Sequence, residues 1–376
     1  MTPSTKYSRM LIRYVHMAAI FMASIALYSP AMSQNARLLP GFDKEEYIEM
    51  EKLSLKHFDH IDKDSPTPKY FKSVYRSPVM GLDNRWELWT NNKGVAAICV
   101  RGTTAQPVGW LENFYAAMVP AAGQLTLSNS FTFKYHLADH PKAAVHVGWL
   151  VGMAFLARDI VPKIDSAYKA GIKDFMITGH SQGGVLVYLL TSHLYHLQKQ
   201  HILPKDIRFK TYAAASPKAG NTFYGYEYEN SVAGGWGYNV INGADWVPEL
   251  PFSVQTLNDF NETNPFKNVD GIFRKQKLLK RMALKHAYNQ LKNPSFKAQR
   301  KYQKYLGDYA TKIIQRTLPE FQKPVFFPSS NFVRIGPTIT LIPDAEYYKI
   351  YPDSDEQVFI HHFMGPYLYL IDKYNP

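Results

Sequence analysis

Six consecutive residues, Gly179-His180-Ser181-Gln182-Gly183-Gly184, carry the most specific chemical pattern in the chain. They follow the apolar run 175–178 and precede a helix-like stretch, 185–201. This is the strand, sharp turn and helix context in which G-x-S-x-G presents a serine hydroxyl as a nucleophile. The turn strains the backbone at the serine and leaves no room for a Cβ two residues to either side, where Gly179 and Gly183 stand. The plainer reading is an ordinary glycine-rich loop. A serine hydroxyl is a weak nucleophile until an imidazole takes its proton, and the imidazole needs a carboxylate to fix its tautomer and stabilise its charged form. In elbows of this type the chain order is serine, acid, histidine. Asp245, after an apolar strand that follows the elbow, supplies the acid, although alone it also reads as a turn former. Two adjacent histidines, His361 and His362, compete for the base.

These groups need a scaffold, and the composition provides for one. The chain has 376 residues, 46% apolar and 20% charged, as expected of a globular protein with a substantial core. That length fits one large domain or two small ones. Its single cysteine, Cys99, lies in the apolar run 95–100 and reads as a small buried hydrophobe. One cysteine excludes an internal disulfide and any C-x-x-C metal motif, and no cofactor motif is present.

The pattern predicts a helix from Asp43, with Asp43 and Glu46 at capping-box spacing and Tyr47, Met50, Leu53 and Phe58 as its apolar face. Strands follow at 85–90 and 95–100 across an Asn-Asn-Lys-Gly turn, then a helix over 151–170, the elbow, and strands at 209–215 and 238–241. Strands alternating with helices imply an α/β fold, a mainly parallel sheet covered on both faces. Late strands are expected at 332–335 and 338–342.

Two segments stand apart. Residues 1–33 read as a signal peptide: Lys6, Arg9 and Arg13 precede an apolar core over 17–28, and Ala31 and Ser33 stand at minus three and minus one to a cleavage site. The core is well short of the roughly 20 residues that span a bilayer. The expectation is an exported protein, secreted or periplasmic, with one domain over 34–376. The second segment is an insert, 254–328. Its part from 267 to 316 holds fourteen Lys or Arg and only two acids, Asp270 and Asp308, so its formal +12 equals that of the whole chain. Two helices are expected in it, 272–292 and 296–316, broken at Asn293-Pro294-Ser295, with an apolar stripe at Tyr302, Tyr305, Leu306, Tyr309 and Ile313. The functional reading of this pattern is a lid or cap that meets an anionic membrane or micelle surface. The bland reading is a solvated helical pair. No nucleic-acid-binding fold accompanies the charge.

Taken in order, several segments resemble the class 3 lipases, a family with the α/β-hydrolase fold. They are Arg101-Gly102-Thr103 with Trp110-Leu111, Val145-His146-x-Gly148-Trp149, the elbow, 212–221, Asp245-x-Val247-Pro248-x-Leu250-Pro251, and a terminal His with Met two and Tyr five positions on. His362, through Met364 and Tyr367, meets that last spacing and His361 does not. The resemblance therefore implies a Ser181, Asp245 and His362 triad. It also implies an oxyanion hole at the backbone N–H of Thr103, with its hydroxyl as a further donor, and the backbone N–H of Gln182. His146 falls in a family motif but is expected to be structural. The family's Phe-Gly-Ala-Pro stretch is replaced here by 213–217, and about 75 residues intervene between acid and late strand. The implied function is a secreted serine carboxylic-ester hydrolase, a lipase acting on acyl esters of glycerolipids. A phospholipase A1 or a short-chain or polysaccharide esterase is the alternative within enzymes. A catalytically silent module that binds membrane surfaces is the alternative outside them.

Overall fold

A strand whose residues are apolar without alternation is one that must be covered on both faces. The chain contains two such runs, 95–100 and 175–178, and they form the middle of the fold. The structure, a computed structural model, describes residues 38–57 and 65–375; the signal-like segment 1–33 and Phe58 lie outside the described residues. The first elements are α1 (Lys44–Leu55), β1 (Phe71–Arg76), β2 (Trp86–Asn91), β3 (Val95–Val100) and α2 (Pro107–Phe114). Next come β4 (Met118–Pro120), β5 (Ala122–Ser128), β6 (Phe131–His136), β7 (Ala144–His146) and α3 (Val147–Lys169). The middle of the chain gives β8 (Asp174–His180), α4 (Gln182–Lys199), β9 (Arg208–Ala214), β10 (Gly220–Asn221), α5 (Thr222–Ser231) and β11 (Gly237–Asn242). The remainder holds α6 (Val269–Arg274), α7 (Leu278–Gln303), α8 (Ala310–Thr317), β12 (Phe332–Val333), β13 (Thr338–Leu341), α9 (Ala345–Ile350) and α10 (Met364–Lys373).

The central sheet has seven strands in the order β1-β2-β3-β8-β9-β11-β13. From β3 to β13 every neighbour is parallel, and at one edge β2 pairs antiparallel with both β1 and β3. Side chains alternate along a strand, so each buried strand feeds two cores. Ala96, Ile98, Val100, Phe175 and Ile177 join Val151, Leu186 and Leu190 of α3 and α4 on one face. Cys99 and His180 turn to the other, where Cys99 Sγ lies 3.7 Å from Ser54 Oγ of α1. Helix α10 packs against α1 and β11. Helices therefore cover both faces, as the alternating pattern predicts. Each fully buried Leu, Ile or Val contributes about 1.5–3 kcal/mol relative to exposure. A second sheet, β12-β10-β7-β4, and the hairpin β5-β6 flank the first. The segment 332–335 enters that small sheet through β12, and only β13 extends the large one.

Three local readings shift. Helix α3 starts at Val147 because the buried His146 caps it, Nδ1 accepting from Trp149 N–H at 3.2 Å. Pro294 does not break the insert: α7 runs from Leu278 through Gln303. A proline removes one intrahelical bond, and the exposed surroundings of Gln290 and Pro294 leave water to satisfy the freed carbonyl. The stripe at 302–313 is also displaced. A π turn, Lys304–Tyr309, widens the helix and changes which residues face inward. Gly307, Thr311 and Ile314 are buried, whereas Tyr305, Tyr309 and Ile313 are exposed. No helix among the described residues is long and apolar enough to cross a membrane.

Candidate active site

Strand β8 ends at His180 and helix α4 begins at Gln182, so Ser181 alone makes the turn. Its backbone is held at φ 62° and ψ −126°, a conformation that L residues with a Cβ rarely adopt. Close packing enforces this. A Cβ on Gly179 would stand 2.4 Å from the Gly183 carbonyl carbon, and one on Gly183 would stand 2.2 Å from the Val100 carbonyl oxygen. The Ser181 N–H is anchored to the Ala214 carbonyl at 2.9 Å. The result lifts the hydroxyl clear of the sheet at the N-terminus of a helix.

The structure brings three of the sequence-singled residues into one hydrogen-bonded chain. Ser181 Oγ is 2.8 Å from His362 Nε2, and His362 Nδ1 is 2.7 Å from Asp245 Oδ2. Asp245 follows β11 and is buried, and it also accepts from the Tyr367 hydroxyl at 2.8 Å and the Val247 N–H at 3.0 Å. Those donors hold the carboxylate in place. Burial lowers the proton affinity of His362, against the opposing pull of Asp245, so its ring is neutral near pH 7 and free to accept a proton. His361 points elsewhere: its Nδ1 pairs with the Tyr347 hydroxyl at 2.8 Å and its Nε2 with Asp353 at 3.0 Å.

Thr103 lies in the loop after β3, close against the elbow; a Cβ on its neighbour Gly102 would stand 2.8 Å from the His180 carbonyl oxygen. Its hydroxyl donates to Gln182 Oε1 at 2.6 Å and accepts from Asn113 Nδ2 at 3.0 Å. In this state the Thr103 hydroxyl proton is directed at a side chain, which leaves the backbone amides as the site's donors. Gln182 is the first residue of α4, where main-chain N–H groups have no partner within the helix. Behind it sits Glu112, fully buried, accepting from Asn84 Nδ2 at 2.6 Å with the Gln182 side chain beside it. Burial pushes its carboxyl up to about 8, so it is largely protonated at neutral pH. Asn113 also accepts from Trp149 Nε1 at 2.8 Å and, through its carbonyl, from His146 at 3.2 Å. His146, with its pKa pushed down to about 3 by burial, is a neutral structural residue. Glu112, Asn113 and Asn84 escaped the sequence reading, because nothing local marks a buried carboxyl partnered from 28 residues away.

Aromatic rings border this constellation. Phe359 packs 5.9 Å from the His362 ring, Trp246 and Trp110 lie 5.2 and 6.1 Å from Phe359, and Phe114 lies 6.4 Å from Trp110. Trp110, Phe114 and Trp246 are solvent-exposed. One group of metal-ligand type, His136, Asp139 and His196, is found among the described residues. Its two rings stack at 3.6 Å and 10°, and Lys199 lies 3.5 Å from the carboxylate.

A mainly parallel sheet covered on both faces, with a strained serine between strand and helix and an acid and a histidine following in that order, is the arrangement of the α/β-hydrolase fold. Residues 97–255 match the family model of lipase (class 3), so the chain resembles that family from β3 to the loop after Asp245. Among solved structures, a lipase of Yarrowia lipolytica is 16% identical over 57% of this chain and 76% of its own, with a TM-score of 0.43. The Rhizomucor miehei lipase is 19% identical over 59% and 75%, with a TM-score of 0.40. Lipase II of Rhizopus niveus is 18% identical over 55% and 74%, with a TM-score of 0.39. No curated protein sequence matches the chain significantly.

Proposed function

We propose that the protein is an exported lipase that hydrolyses acyl esters of glycerolipids through an acyl-enzyme on Ser181. The observation that carries this is the chain from Ser181 Oγ to His362 Nε2 and from His362 Nδ1 to Asp245, at 2.8 and 2.7 Å. Ser181 Oγ attacks the ester carbonyl carbon while its proton passes to His362 Nε2, and Asp245 stabilises the imidazolium. The carbonyl oxygen becomes an oxyanion that the N–H groups of Thr103 and Gln182 receive; such donors contribute about 3–4 kcal/mol each. As the tetrahedral species collapses, the proton on His362 goes to the leaving alcohol. Water, deprotonated by His362, then releases the acid and restores Ser181. The exposed aromatic border beside His362 favours a long apolar acyl group over a short polar ester. Export is inferred from the signal pattern over 1–33.

The insert supports contact with anionic lipid. Between Asp270 and Asp308 there is no acidic residue, and Ile272, Leu278, Leu279 and Met282 are exposed among Arg274, Lys275, Lys277, Lys280 and Arg281. Each such cation is worth about 1 kcal/mol at an anionic surface. The test is a chain-length series of p-nitrophenyl esters with and without vesicles, alongside Ser181→Ala. Long-chain turnover that rises with anionic vesicles and vanishes in Ser181→Ala is expected. Turnover confined to acetate or butyrate and indifferent to vesicles would indicate an esterase instead. Turnover surviving in Ser181→Ala would refute the assignment.

A further inference from the structure

His180 ends β8, immediately before the nucleophile, yet its side chain leaves the elbow for the opposite face of the sheet. There it is buried between two oxygens from distant parts of the chain. Its Nδ1 lies 2.5 Å from Glu51 Oε1 of α1, and its Nε2 lies 2.7 Å from the main-chain carbonyl oxygen of His362. Both side chains are more than nine-tenths buried. A carbonyl oxygen can only accept, so Nε2 carries a hydrogen. The proton between Nδ1 and Glu51 belongs on the ring, whose charged form is favoured by the facing carboxylate at Nδ1 and the carbonyl at Nε2. Both ring nitrogens are then donors, and His180 is an imidazolium.

We propose that Glu51 and His180 form a buried carboxylate–imidazolium pair that positions the catalytic base, the imidazolium Nε2–H holding the His362 carbonyl and thereby the ring that takes the Ser181 proton. This rests on the acyl-enzyme reading of Ser181. Asp245 fixes the His362 ring at Nδ1, but a ring anchored at one nitrogen still moves with its backbone. That backbone lies in the turn segment just before α10, where the His362 N–H bonds to the Phe359 carbonyl at 2.9 Å. The His180 bond ties the same residue to the end of β8, the strand that also carries Ser181. Nucleophile and base thus share one rigid support.

His180 is faced by groups from several elements. Helix α1 contributes Glu51, with Tyr47 near it; β3 contributes Cys99, whose thiol is raised by burial and by the Glu51 charge. The loop after β11 contributes Asp245, and α10 contributes Tyr367, whose ring lies edge-on at 5.3 Å. The His362 ring is 5.1 Å away. Burial alone would strip the proton from His180, but the anions Glu51 and Asp245 and the carbonyl overcome it, and its pKa is raised. When His362 becomes charged during turnover, two buried carboxylates face two imidazoliums. The sign follows: His180 holds its second proton below its raised value, and the pair is lost as pH rises through that value. A neutral ring that keeps its hydrogen on Nδ1 for Glu51 turns a lone pair toward the His362 carbonyl, and the base is released.

The experiment measures kcat and KM for a p-nitrophenyl ester against pH in wild type, Glu51→Gln, Glu51→Asp and Ser181→Ala. A ¹⁵N-histidine spectrum of the wild type at pH 8 accompanies it. Glu51→Gln should lower kcat roughly a hundredfold, the cost of displacing a catalytic group by about 1 Å, with KM unchanged. Its alkaline limb should move to lower pH, because burial then acts unopposed on His180. Glu51→Asp should recover part of both. The wild-type spectrum should contain a histidine protonated on both nitrogens that disappears in Glu51→Gln. If Glu51→Gln does not fold, the wild-type spectrum decides: absence of a doubly protonated histidine at pH 8 overturns the proposal. A Glu51→Gln profile identical to wild type also overturns it, while Ser181→Ala remains inactive. Turnover by Ser181→Ala would instead strike the acyl-enzyme reading itself.

Discussion

From Asp174 to Leu194 every residue except Ser181 is buried; from Leu278 to Leu291 nearly every residue is exposed, four leucines and a methionine included. Both stretches are rich in apolar side chains. They differ in charge. Between Phe175 and Gln198 there is no Lys, Arg, Asp or Glu, whereas 278–292 holds Lys280, Arg281, Lys285 and Lys292. Apolar content without charge is absorbed by the core, and the same content interleaved with cations stays outside, because burying each cation unpaired costs far more than a leucine returns. The elbow obtains its precision from packing that admits no added atom. The arm of α6 and α7 is held to the body by few buried side chains.

That contrast can be broken from either side. Ser181→Ala should reduce ester turnover by about 10⁴-fold or more, read by steady-state kinetics, with thermal stability retained. Gly183→Ala, by pushing a Cβ to 2.2 Å from the Val100 carbonyl, should destabilise the fold by more than about 4 kcal/mol, measured by chemical denaturation. In the arm, Lys280→Gln with Arg281→Gln should leave turnover of a soluble short ester unchanged. The pair should weaken binding to anionic vesicles by about 2 kcal/mol, or roughly thirtyfold, and added salt should shrink the difference. The acid limb of kcat/KM should fall below the ordinary histidine value of 6.5, because burial lowers His362 and keeps the base neutral into mildly acidic solution. Smallest of all, Leu279→Ala should change folding stability by no more than about 0.5 kcal/mol. A larger loss would mean that Leu279, 83% exposed here, is in fact packed.

The same division explains what was legible in the sequence. Gly179, Ser181 and Gly183 announce themselves because a close-packed turn restricts residue type at fixed local spacing. The central strands are legible because burial on both faces removes all polar alternation. His146 as a cap and α7 running through Pro294 were missed, since each depends on what surrounds the backbone. Glu51 and His180 lie 129 positions apart, and nothing near either residue reveals that the other completes it. Glu112 was equally silent, its partner Asn84 arriving from the turn before β2. The choice between His361 and His362 came from resemblance alone, because adjacent histidines are indistinguishable until Tyr347 and Asp353 claim one of them.

The aromatic border has an optical consequence. Of the six tryptophans, Trp86, Trp89 and Trp149 are buried and Trp236 is half-buried, whereas Trp110 and Trp246, 37% and 38% exposed, flank Phe359. Red-shifted emission open to iodide quenching therefore comes from the rim of the site. On the proposed function, an acyl chain or a lipid surface covering that rim should turn the emission blue and deny the quencher access, so occupancy can be followed in the native chain without a label.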